Sequence, residues 1–69
     1  MKVGDLVTLS NYGKKILALK EFQKLVGVII NIEYDKFRDR PVYFVLFTGY
    51  DRPEMLYRKE IKYARWVIG

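Results

Sequence analysis

Sixty-nine residues suffice for one domain, and a chain of this length removes only ~60% of its extended-chain surface from water on folding. With 51% apolar, 16% aromatic and 30% charged residues, the composition is that of a folded globule, which excludes a disordered segment. Having neither cysteine nor histidine excludes disulfides, thiolate metal sites and imidazole ligands, while a formal charge of +5 favours anionic partners.

No apolar run approaches the ~18 residues a membrane span needs, and Asp5 interrupts the apolar stretch at the N-terminus. The expectation is a chain with neither signal peptide nor membrane segment, and its lack of cysteine suits the cytoplasm. The charge is spread: residues 1–34 hold five basic and three acidic groups, residues 35–69 eight and five, so the halves carry +2 and +3 and no basic tail exists.

In chain order, Lys2–Ser10 reads as a first strand, with Val3, Asp5, Val7 and Leu9 sharing one parity. Asn11-Tyr12-Gly13 ends it as a turn, since Asn and Gly tolerate left-handed backbone. Residues 14–25, KKILALKEFQKL, read equally as a short amphipathic helix with Ile16, Leu19 and Phe22 on one side, or as a long folded-back loop. From Val26 to Glu33 strand alternation returns, with Val26, Val28, Ile30 and Ile32 against Gly27, Ile29, Asn31 and Glu33. The polar link YDKFRDRP joins this strand to Val42–Thr48 as a hairpin. Gly49–Pro53 is a second turn, Glu54–Tyr57 a short strand, Arg58–Glu60 a single tight turn, and 61–67 a last strand.

Within VYFVLFT both strand faces are apolar. Four or five short strands with a long excursion after the first predict a mainly β domain closed into a small barrel. Closure accounts for the doubly apolar strand if Val42, Phe44 and Leu46 point inward and Tyr43, Val45 and Phe47 outward, or the reverse. The outward set then needs a cover, supplied by the 14–25 segment, by a second copy of the chain or by another partner.

Several segments resemble a known architecture in order and spacing: KVGDLVTL at the start, GVIINIE after the long excursion, YFVLF, and LYRKEIKYAR near the end. They are similar to SH3-like small barrels of the KOW and Tudor kind. Gly4, Asp5 and Val7 match the first element of that pattern, Gly27, Val28 and Ile29 the second, and Glu60 and Ile61 the third. The chain also resembles compact barrel proteins that bacteriophages encode as short genes. The resemblance implies a single barrel domain over residues 1–69 that acts by binding, and for a phage protein it implies a place in the host cytoplasm or the virion.

Catalysis finds little to work with. Histidine and cysteine are missing, the one serine, Ser10, has no activating neighbour in sequence, and the carboxylates are scattered, Asp35 and Asp39 flanking Arg38 as solvated ion pairs would. No catalytic residue, cofactor or metal ligand is assigned, and neither a small-molecule substrate nor a membrane is expected. Two surface readings remain. In the first, a protein partner or a second copy meets an apolar face of Tyr43, Val45, Phe47, Phe22 and Tyr34. In the second, nucleic acid meets basic and aromatic side chains at Tyr57, Arg58, Lys59, Lys62 and Arg65, flanked by Tyr50 and Arg52. The protein partner ranks slightly ahead, because spread charge is commoner than surplus outward apolar residues.

Overall fold

The computed structural model describes residues 1–64, so Arg65 and the end of the last expected strand lie outside the described residues. The chain is mainly β. Among the described residues five strands, β1 (Leu6–Leu9), β2 (Gly27–Asp35), β3 (Arg40–Phe47), β4 (Glu54–Tyr57) and β5 (Ile61–Tyr63), form one antiparallel sheet in the order β4-β3-β2-β1-β5. A single helical turn, α1 (Asn11–Lys14), and a 3₁₀ helix at Leu17–Phe22 fill the excursion, and a 3₁₀ turn at Arg58–Glu60 joins β4 to β5.

The excursion is neither a three-turn α-helix nor a plain loop. Ile16, Leu19 and Phe22 are spaced by three throughout, and a three-residue repeat lines up on one side of a 3₁₀ helix, whereas an α-helix drifts off it. Leu19 and Phe22 are buried, and Leu17 faces water. Phe22 stacks on Phe47 of β3 with ring centroids 4.7 Å apart. The 14–25 segment is therefore the cover that the apolar β3 strand required.

The side chains it covers reverse the first of the two parities. Tyr43, Val45 and Phe47 are buried with Val7, Leu9, Ile29, Leu56 and Ile61 in one core, while Phe44 and Leu46 are half-exposed on the other face and Val42, of the same parity as these two, is buried apart from that core. The reason lies in the neighbouring strand. β2 carries a bulge at Ile30: Ile29 pairs with Val45, Asn31 with Phe44, and Ile30 is left over and exposed. The inward series on β2 consequently runs Gly27, Ile29, then Ile32, a step of three that simple alternation hides.

The sheet is not closed by hydrogen bonds. Four interstrand spacings of ~4.8 Å would hold the outer strands of a flat five-stranded sheet ~19 Å apart. Yet β4 ends at Tyr57 and β5 begins at Ile61, and the four residue steps between them reach at most ~14 Å even when extended. The sheet must curl, which is why side chains from both edge strands, Leu56 and Ile61, meet in the same core. Instead of the closed barrel expected from sequence, the described residues form a curled open sheet, with the 3₁₀ turn bridging its edges and no β4–β5 ladder.

Candidate nucleic-acid interface

Of the apolar contact face expected from sequence, only Tyr34 is exposed. Tyr43, Val45, Phe47 and Phe22 are core residues at 8%, 0%, 1% and 2% exposure, so they present nothing to a partner. Periodicity supplied two parities, and the covered one is the face that packs on the 3₁₀ helix. The face left over carries Leu6, Val28 and Leu46 in one row across β1, β2 and β3, along a shallow groove of about 420 Å³.

The basic and aromatic residues are brought together more closely than their sequence positions suggest. Because β4 runs antiparallel to β3 with Tyr57 opposite Val42, the end of β4 lies beside the start of β3. The guanidinium of Arg40 sits 5.2 Å from the centre of the Tyr57 ring and that of Arg38 5.7 Å from it, and Arg38 also donates a hydrogen bond to the Tyr57 hydroxyl. Arg40, Pro41, Tyr57, Arg58 and Lys59 line a depression of about 220 Å³. Beyond it, Arg58 lies 5.9 Å from the Tyr63 ring centre, and Lys59 Nζ lies 4.7 Å from that of Tyr12.

Local structure fixes this band. The Glu60 carboxylate accepts the backbone N–H of Tyr57 at 2.6 Å, which sets the 3₁₀ turn that displays Arg58 and Lys59. Arg58 donates to the Ile61 carbonyl at 3.0 Å. Ser10 holds α1 against the same turn: its hydroxyl accepts from Gly13 N at 3.1 Å and donates to the Lys59 carbonyl at 2.5 Å. Tyr12 thereby reaches Lys59. On the hairpin, Asp35 accepts the backbone N–H groups of Phe37 and Arg38, and Asp39 accepts from the Tyr34 hydroxyl. The acidic side chains there build the turn, a different role from the solvated ion pairs read from sequence.

Comparison of the chain with protein-family models, with curated proteins and with solved structures found no match. The site therefore rests on its own geometry.

Of the basic and aromatic residues singled out from sequence, Tyr57, Arg58 and Lys59 lie together in this band. Lys62 is exposed on β5, opposite Thr8, and Arg65 lies outside the described residues. Tyr50 and Arg52 do not join it. They occupy the β3–β4 turn, at the far end of β4 from Tyr57, where Tyr50 packs on Phe22 and donates to Glu21 at 3.3 Å. Desolvation, followed by the Glu21 carboxylate, holds the Tyr50 phenol above its ordinary pKa. Sequence reading missed Arg38, Arg40 and Tyr12. The available signal for the arginines was the density of basic residues in Lys36–Arg40, three of five, at the turn of the expected hairpin.

Among the described residues no helix is long and apolar enough to cross a membrane, and no group of three metal-ligating side chains is present.

Proposed function

We propose that the protein is a non-catalytic binding module, an SH3-like small barrel in its strand plan, and that its ligand is nucleic acid held along the band from Arg38 and Arg40 through Tyr57 to Lys59. The observation that carries this reading is the pair of arginines converging on Tyr57 beside Arg58 and Lys59. Guanidinium groups neutralise phosphates, and rings among them offer faces for bases, with each stack contributing ~1 to 3 kcal/mol. Support for the SH3-like plan comes from the meander order with β5 returned beside β1, and from the 3₁₀ turn between the last two strands.

The test is salt dependence. With about four phosphates neutralised, the logarithm of affinity for a single strand falls with a slope of about −3 against the logarithm of salt, so raising salt fourfold weakens binding about 50-fold. Charge reversal at Arg40 and Arg58 together removes at least tenfold at low salt. Binding that ignores both manipulations contradicts the proposal.

A second reading has its own observation, the row Leu6, Val28 and Leu46 along the 420 Å³ groove. A protein partner on that face binds almost independently of salt and is lost in Leu46→Asp but kept in the arginine reversals.

A further inference from the structure

The β2–β3 hairpin outruns its neighbours. β1 is matched only to Gly27 and Val28 of β2, and β4 only to Val42–Val45 of β3, so the pairs Tyr34–Pro41 and Asp35–Arg40 form a two-stranded ribbon beyond both flanking strands. At its tip stands Phe37, exposed at 102%, between Lys36 and Arg38. The turn that carries it is built: the Asp35 carboxylate accepts from Phe37 N at 3.0 Å and Arg38 N at 3.3 Å, and Asp39 holds the left-handed conformation at φ 54° while accepting from Tyr34. One residue along, Arg38 reaches back to Tyr57, so Phe37 is the chain neighbour of a residue of the basic band.

We propose that Phe37 is a stacking residue of that interface, and that the ligand class is therefore single-stranded nucleic acid, with an unpaired base on the Phe37 ring and neighbouring phosphates on Arg38 and Arg40. The inference rests on the nucleic-acid reading above and goes further in naming the strand state. A base inside a duplex has both faces covered by its neighbours, whereas an unpaired one offers a face to an exposed ring. A lipid surface is the poorer fit, because Phe37 is the only apolar side chain within the turn from Lys36 to Asp39, and one ring buries little apolar area in a bilayer interface.

The experiment is a fluorescence-anisotropy titration at low salt with labelled oligothymidylate, oligouridylate and a duplex of equal length, together with sedimentation of phosphatidylserine vesicles. The full chain, Phe37→Ala, Phe37→Trp and the Arg40→Glu/Arg58→Glu double variant are compared. The expected result is tighter binding to one or both single strands than to duplex, weakened about tenfold by Phe37→Ala, restored by Phe37→Trp, and with duplex affinity changed less than about twofold. Phe37 is exposed, so its variants keep the fold, which circular dichroism verifies. If Phe37→Ala binds like the parent while the arginine double variant fails, the stacking role is overturned and the interface reading stands. If the parent binds no oligonucleotide, both are overturned. Phe37-dependent binding to vesicles alone overturns the single-strand assignment in favour of a membrane.

Discussion

At Gly27 there is room for a hydrogen and nothing more: a Cβ there would stand 2.5 Å from Val45 Cγ1 and 3.0 Å from Phe47 Cδ1. Gly27→Ala is accordingly expected to cost about 1–3 kcal/mol by overpacking, read as a lower urea midpoint with an unchanged slope. Gly13 matters for a different contact, since a Cβ on it would run into the Glu60 carbonyl oxygen and lift α1 from the 3₁₀ turn. Ser10→Ala removes a helix cap and a hydrogen bond to that turn, so it loses about 1–2 kcal/mol. It should also weaken oligonucleotide binding by letting Tyr12 drift from Lys59. None of this was legible in the sequence. Asn11-Tyr12-Gly13 reads locally as a turn, but the constraint on Gly13 comes from a residue 47 positions away, and local propensity carries no information about such an approach.

Elements were easier to read than their faces. β4 and the Arg58–Glu60 turn fall where turn chemistry placed them, because Pro53 and the return to apolar residues at Ile61 mark both boundaries. The parity of β3 was not fixed by its own residues, since VYFVLF is apolar on both sides. What decides it is the bulge at Ile30 together with the cover from Leu19 and Phe22, and both are relations between elements. The energetic consequence is asymmetric. Phe22→Ala and Tyr43→Ser open the core and are expected to lose about 3–5 kcal/mol, enough to unfold much of so small a domain, whereas Phe44→Ser on the half-exposed face loses about 1 kcal/mol. Thermal unfolding of the three variants measures this. Equal losses for Phe44 and Tyr43 would mean that both faces are covered.

For the whole molecule, a net charge of +5 favours anionic partners without singling out a surface for them, because the basic residues are evenly distributed along the chain. Folding concentrates some of them. Pairing of Val42 with Tyr57 brings residues 38 and 40 beside 57–59, and the curl of the sheet carries α1 to the same end. The apolar row of Leu6, Val28 and Leu46 lies on the outer face of the sheet, lined up along the groove that runs to the β3–β4 turn, so one ligand's footprint distinguishes the two surfaces. The most direct measurement is the change in backbone amide shifts of the ¹⁵N-labelled protein as oligothymidylate is added at low salt. The account predicts the largest changes at Phe37, Arg38, Arg40, Tyr57, Arg58 and Lys59, fading as salt is raised. Changes centred on Leu6, Val28 and Leu46, or none at any residue, would contradict it.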